Sequence, residues 1–546
     1  MVFRIHWNAE SLVFALLVAI NLMPLWAFEY FPTQDGPGHV DNAAVLYNYF
    51  HSNHSVLREY YTLNLRFVPN WLNSIVLVGL VHFVPIITAE KILIAAYVVL
   101  LPFSIRYALS AINEASTFLS MLAFPLIYND FLHRGFYNFI FSIPLFLFII
   151  GYWLRHRDSF RFREICCLAG LTLLLYFCHI VALGSLVVTL VILAASFTLP
   201  GLIRNYRSAP NGLGGTWFTL HNPLWASLCG LAPALFLAVV FVRQQGSPPS
   251  WGGSFWKLLV WPLYGVIATT NSPAHLLISM SVVGLFLGIL YYAVSRRATQ
   301  QNPFLGDGFL WAATILCILY FIAPESMSGG NIINPRFMVF TLLLLILWFG
   351  TQCFSRRVRF RITTAAIGLA TLQIAINLPV YARVNESSLE YLSGTNAIEP
   401  NSTLLPLCFA REGCGVDRGA GYLRISPFAH LSGYITAQQH VVNLFNTSAH
   451  TDYFPIRYRD QLDPIPYLRN QIEGKRVWGV NVADYTRQTG GHIDYVLLWG
   501  IADAWHHGED TDILLKWLAA EYDSIFTSSQ QGALQIYRRK DFKVRE

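Results

Sequence analysis

Apolar runs close to the roughly 20 residues that span a bilayer recur along the chain from Ser11 to Tyr381. Beyond Arg383 the texture changes: residues 384–546 mix polar and apolar positions and contain no spanning run. The pattern predicts an α-helical polytopic membrane protein. A transmembrane part covers 1–383, and a soluble domain of ordinary size covers 384–546. In that domain Tyr495–Trp499 and Ala533–Tyr537 read as strands and Ile513–Tyr522 as an amphipathic helix, which predicts a small α/β unit. The first run, Ser11–Phe28, lacks a small-x-small site at its end, so it reads as an uncleaved helix rather than a signal peptide.

Charge orients these runs. Basic clusters fall at Arg155/Arg157/Arg161/Arg163, Arg204/Arg207, Arg296/Arg297 and Arg356/Arg357/Arg359/Arg361. The positive-inside rule places all four in the cytoplasm. Spans between clusters then come in pairs: 166–180 with 181–199, 224–242 with 274–294, and 309–323 with 337–354. The run 362–380 crosses once more. Before Arg155 there are five apolar runs, at 11–28, 71–87, 89–109, 115–129 and 137–154, and parity allows only four to cross. The run 71–87 is diluted by Asn73, His82 and Pro85, so it is assigned to the interface as an amphipathic or re-entrant helix. The result is about eleven spans, with the N-terminus cytoplasmic and 384–546 extracytoplasmic. Residues 29–88 form a long first outer loop. Low lysine content and terse loops suggest a bacterial inner or plasma membrane.

Composition agrees. The chain is 54% hydrophobic and only 12% charged, with a mean hydropathy of +0.45; soluble domains carry about 25% charge. The net charge of +6 is explained by the topology clusters, so nucleic acid is not an expected partner. Cys408 and Cys414 lie close together in the outward domain, where a disulfide suits an oxidising compartment; two unpaired thiols are the alternative.

The ionisable residues that topology leaves unexplained collect in the outer loops. Asp35 and Asp41 stand in Phe31-Pro32-Thr33-Gln34-Asp35-Gly36-Pro37-Gly38-His39-Val40-Asp41, directly after the first span. His39, Arg58 and Arg66 share that loop. Asp130, His133 and Arg134 occupy a second loop, and Glu325 and Arg336 a later one. Acids and arginines meeting on one membrane face suit group transfer from a phosphate-bearing lipid. A carboxylate takes the acceptor's proton and arginine meets the charge growing on the leaving phosphate. Each residue also has a structural reading. Asp35 suits a turn, Asp41 a helix cap at Asn42, Asp130 and Arg134 an i,i+4 pair, and Arg336 an interfacial snorkel. His39 suits solvation better than metal ligation, and His179 a satisfied polar position between spans.

At these residues the chain resembles the GT-C membrane glycosyltransferases, among them protein O-mannosyltransferases and aminoarabinose transferases of lipid A. The matching features are Gln34-Asp35-Gly36-Pro37-Gly38-His39 after the first helix and Asp130-x-x-His133-Arg134-Gly135-Phe136-Tyr137-Asn138-Phe139. A third is Gly329-Gly330 followed by Pro335-Arg336-Phe337. The resemblance implies a polyprenyl-phosphate sugar donor, a glycan, lipid or protein acceptor, and membrane lipids as surroundings. It implies Asp35 as general base, with Asp41 as an alternative and Asp130 matching the second-loop acid. The outer-loop chemistry itself makes His39, Arg58, Arg66, His133, Arg134, Glu325 and Arg336 candidate substrate contacts. Gly36 stands where some members carry a second acid. No cofactor is therefore specified, and a divalent metal and the choice of base stay open. Competing readings are a transporter or flippase, which would place ionisable groups and repeats at mid-membrane, and a non-catalytic assembly factor for surface polysaccharide.

Overall fold

The computed structural model describes residues 9–543 except 52–54, 209–221, 247, 253, 298–305, 411–422, 468–481, 502–508 and 530–532. Helix α1 (Ala9–Ala27) leads into the first loop, which holds α2 (Gly36–Asn48), α3 (Ser55–Tyr60), strand β1 (Tyr61–Leu63) and α4 (Leu72–Val81). Then come α5 (Ile86–Ile112), a 3-10 segment (Glu114–Ala123), the single turns α6 (Phe124–Ile127) and α7 (Asp130–His133), and α8 (Tyr137–His156). The helical part continues with α9 (Phe162–Cys178), α10 (Ile180–Ser208), α11 (Pro223–Gln244), α12 (Phe255–Tyr264), α13 (Pro273–Arg297), α14 (Asp307–Ile322), α15 (Ile333–Gly350) and α16 (Arg356–Leu392).

Among the described residues, eight helices are long and apolar enough to cross a membrane: α1, α5, α8, α10, α11, α13, α15 and α16. Shorter apolar segments are α4, 114–127 and α14, so long helices account for eight of the roughly eleven spans anticipated from parity. The segment 114–127 shows how fourteen residues can serve. Its first ten are 3-10 helix, and residues 116–127 are buried throughout. A 3-10 helix rises about 2.0 Å per residue, so ten residues cover about 20 Å and the following α-turn about 6 Å more. That approaches the roughly 30 Å hydrocarbon thickness. The diluted run at 71–87 forms only the ten-residue α4 before Pro85 starts α5, too short to span. Helix α12 has no buried residue and exposes Phe255, Trp256, Leu259, Val260 and Leu263, beside exposed Trp251. Such aromatic surfaces suit the headgroup boundary.

The chain after α16 builds β2 (Thr403–Cys408), α17 (Ser432–Gln439), β3 (Val442–Asn443), β4 (Ile456–Tyr458), α18 (Val482–Thr489), β5 (Tyr495–Trp499), α19 (Glu509–Glu521), β6 (Tyr522–Thr527) and β7 (Leu534–Arg539). A mixed five-stranded sheet runs β3-β2-β5-β7-β6. Strand β2 is parallel to β3 and β5, while β7 is antiparallel to β5 and β6. The protein is thus a polytopic helical membrane protein with a C-terminal α/β region. The two parts are interlocked. Helix α16 runs unbroken past residue 383 to Leu392, and β1 of the first loop pairs with β4 in the register Thr62–Arg457. Helix α17 packs against α2 closely enough that a Cβ on Gly433 would stand 2.3 Å from the Pro37 carbonyl oxygen.

The charge pattern leads to the expectation that the sheet faces outward, which a labelling experiment checks. Asp523 lies on an exposed stretch of β6. In Asp523→Cys, a membrane-impermeant thiol reagent is expected to label intact cells. Labelling only after permeabilisation contradicts the outward placement of the sheet.

Candidate functional site

Helix α2 begins where it does because Gly36 and Pro37 occupy its first turn, with Asp35 at the N-cap. The Asp35 carboxylate makes no capping bond; instead it projects into a cavity. The turn is fixed to the second loop by Gln34 N–H to His133 O (2.8 Å) and Asp35 N–H to Arg134 O (3.1 Å). Gly135, at φ +75°, lies against the Gly36 backbone, where an added Cβ would come within 2.5 Å of Gly36 N. Gly36 itself has no room for a side chain: a Cβ would meet Thr33 Oγ1, Tyr137 Oη and Glu90 Oε1, all within 2.6 Å. Beneath the turn Glu90 accepts from Tyr137 Oη–H (2.5 Å) and from Tyr434 Oη–H (2.5 Å). That carboxylate thereby joins α5, α8 and α17.

The cavity has a volume of about 890 Å³. Its first wall is polar and comes from the first two loops and the start of α8, with Gln34, Asp35, His39, Arg134 and Asn138. Its second is apolar, with Ile180, Val181 and Leu183 of α10 and Leu235, Val239 and Val242 of α11. A third holds residues 327–333, Arg336 and Phe337. The C-terminal region supplies the fourth, with His430 and residues between Asn443 and Phe454.

Of the residues singled out from sequence, Asp35, His39, Arg134 and Arg336 meet in this cavity. The Asp35 carboxylate receives Gln34 Nε2–H at 3.1 Å and faces His430 Nε2 at 3.7 Å. Gln34 is held in turn by Ser426 N–H (3.0 Å). His39 packs on Tyr137, ring centroids 5.4 Å apart. Burial lowers its imidazole to about 4, against the opposing pull of Asp35. Arg134 is tied to Asp130 by a 2.7 Å ion pair. Arg336 is only 8% exposed. Its guanidinium lies over Phe136 and Phe139, 5.1 and 5.3 Å from the ring centroids. It forms no hydrogen bond or ion pair among the described residues, and its Nε is buried without a partner.

The others lie outside the cavity lining. Asp130 is buried behind Arg134. His133 is locked between Asn129 O (2.8 Å) and Tyr381 Oη (2.6 Å), and burial lowers it to about 4. Arg58 donates to the Tyr49 and His51 carbonyls. Arg66 and Glu325 are exposed. Asp41 sits inside α2, not at its start, so it does not cap a helix at Asn42. It is fully buried and accepts from Thr436 Oγ1 (2.8 Å), Asn443 Nδ2 (3.3 Å) and Asn446 Nδ2 (3.0 Å). Two of these donors line the cavity, so Asp41 fixes a wall. Cys408 is buried at the end of β2; its anticipated partner Cys414 lies outside the described residues. Among the described residues no group of three or more His, Cys, Asp or Glu side chains is placed to hold a metal.

Several lining residues carry no sequence signal toward Asp35. His430 is stacked on Phe445, 5.5 Å and 12° between rings, and comes from a segment nearly four hundred residues away. His179, read from sequence as a satisfied polar position, lines the cavity with its ring edge-on to Phe139 at 5.2 Å.

No family model matches the chain, and no curated protein matches it. Among solved structures, the crystal structure of ArnT from Cupriavidus metallidurans bound to undecaprenyl phosphate is similar over 97% of this chain and 98% of that chain. The sequence identity is 9% and the TM-score 0.49.

Asp41 generates a pH test. Burial raises its carboxyl to about 7 despite the three hydrogen bonds, whereas an unfolded Asp titrates near 3.9. Between those values the folded state binds more protons, so this group's contribution to stability falls as pH rises from about 4 to about 7. His39 and His133, lowered on folding, act with the opposite sign over about 4 to 6.5. The measurement is therefore the difference between parent and Asp41→Asn in thermal unfolding across that range. The variant is expected to lose about 1–3 kcal/mol, because its amide turns a donor toward two donors. It is also expected to lose the falling component. An identical pH slope in both proteins contradicts the assignment.

Proposed function

We propose that the chain transfers a sugar from a polyprenyl-phosphate donor to an acceptor hydroxyl at the outer membrane face, as a GT-C-type glycosyltransferase. The observation that carries this reading is Arg336. A guanidinium buried near the end of a membrane span, with no counter-charge among the described residues, is costly. This one lines a cavity that has room for an anion and an apolar wall from α10 and α11 suited to a lipid chain. A phosphate monoester or diester supplies the missing charge and accepts from the planar fork.

Asp35 is the cavity's one carboxylate among the described lining residues, which favours it as general base over Asp41 and Asp130. The acceptor hydroxyl gives its proton to Asp35 as its oxygen attacks the anomeric carbon. The bond from that carbon to the phosphate oxygen breaks, and its electron pair leaves on the lipid phosphate, opposite Arg336. Gln34 and His430 hold the carboxylate toward the cavity. No step is assigned to a metal.

Two measurements test the reading. Arg336→Ala is expected to bind undecaprenyl phosphate roughly 10- to 100-fold more weakly, the worth of a charged hydrogen-bond pair. Arg336→Lys should recover part of the loss. Unchanged affinity in the alanine variant removes Arg336 from the site. Asp35→Asn is expected to lower transfer by about 10²–10⁴-fold while lipid-phosphate binding persists. Near-normal turnover excludes Asp35 as base.

A further inference from the structure

The proposal that follows rests on the donor reading above and concerns which sugar the donor carries. The cavity's charges are unevenly placed. Its cationic residues Arg134, Arg243 and Arg336 belong to the membrane part, as does its carboxylate, Asp35. The wall from the C-terminal region is different. Between Asn443 and Phe454 it presents amides, hydroxyls and rings. Of its two histidines, His430 faces Asp35 at 3.7 Å and His450 is paired with Asp463 at 2.6 Å.

This wall is rigid. Asn443 and Asn446 are held by Asp41 through their amide nitrogens. Their amide oxygens are taken by Phe445 N–H (3.0 Å) and Ala449 N–H (3.1 Å). Tyr453 is anchored by its hydroxyl to Gly329 O (2.9 Å). The side-chain hydroxyls of Thr447 and Ser448 have no such engagement among the described residues, and both residues are half-buried at the cavity. Fixed rings beside unengaged hydroxyls match a ring that carries C–H faces and hydroxyl groups together.

A charged sugar fits poorly. An ammonium group would find Asp35 as its counter-ion among the lining residues, and pairing with it would occupy the base that transfer requires. A sugar carboxylate would find Arg134 already paired with Asp130 and Arg243 exposed at the end of α11, and would otherwise compete with the phosphate for Arg336. We propose that the sugar accepted here is uncharged and hydroxyl-rich, read by Thr447 and Ser448 against the Tyr453–Phe454 rings.

The test uses the purified full-length chain in lipid nanodiscs and compares four probes. These are undecaprenyl phosphate alone and the same lipid phosphate bearing mannose, 4-amino-4-deoxyarabinose or glucuronic acid. The mannosyl lipid is expected to bind about tenfold or more tighter than the bare lipid phosphate, as one or two added hydrogen bonds would give. The amino and carboxyl forms should gain nothing. The Thr447→Val/Ser448→Ala double variant should bring the mannosyl lipid back toward the bare lipid while leaving bare-lipid affinity unchanged. If the bare lipid phosphate does not bind the parent, the donor reading fails and the proposal falls with it. If it binds, and either charged form equals or exceeds the mannosyl form, or none exceeds the bare lipid, the donor reading stands and the uncharged-sugar assignment is overturned. An undiminished mannosyl advantage in the double variant also overturns it.

Discussion

The backbone of residues 34–38 is gripped from both sides, and the cavity depends on that grip. Gly135 presses on Gly36 from the second loop, and Gly433 of α17 presses on the Pro37 carbonyl from the C-terminal region. At these contacts the spacing leaves no volume for a methyl group. Glu90, taking hydroxyl hydrogens from Tyr137 and Tyr434, ties α5, α8 and α17 together beneath the turn. Asp35 is therefore held by packed backbone rather than by a flexible loop. Its carboxylate is free to face the cavity because it caps nothing. A site assembled this way owes its geometry to its surroundings.

The same contacts explain why the C-terminal region belongs to the site. Docking of α17 on α2 carries His430 to within 3.7 Å of Asp35. Asp41, one and a half turns into α2, then organises Asn443 and Asn446 into a cavity wall. Pairing of β1 with β4 fastens the first loop to that region a second time. The membrane helices contribute an apolar channel and Arg336, and the outer elements contribute the carboxylate and the polar wall.

The long spans were legible in the sequence because hydropathy over some twenty residues is a strong signal; α8, α13 and α15 fall where the apolar runs place them. Strands β5 and β7 were legible for the same reason on a smaller scale. The segment 114–127 was visible as an apolar run but not as a 3-10 helix, because hydropathy marks burial and not the winding of the backbone. Asp35 stood out because an acid beside Gly36-Pro37-Gly38 after a span has a local signature. The separation of Asp35 from Asp41 and Asp130 did not. All three are outer-loop acids in sequence, and only tertiary packing puts one in the cavity and two behind it. His430 and the Asn443–Phe454 wall were illegible because their placement depends on contacts at Gly433, Asp41 and β4 with segments hundreds of residues away.

The central claim is that Arg336 is a buried cation whose counter-charge is a lipid phosphate. The most direct measurement is an experimental structure of the full chain in nanodiscs containing undecaprenyl phosphate. Phosphate density is expected at hydrogen-bond distance from the Arg336 guanidinium, with the prenyl chain along α10 and α11 and Asp35 facing the same cavity. A phosphate bound elsewhere, or an Arg336 paired with a carboxylate of the chain itself, would contradict the claim.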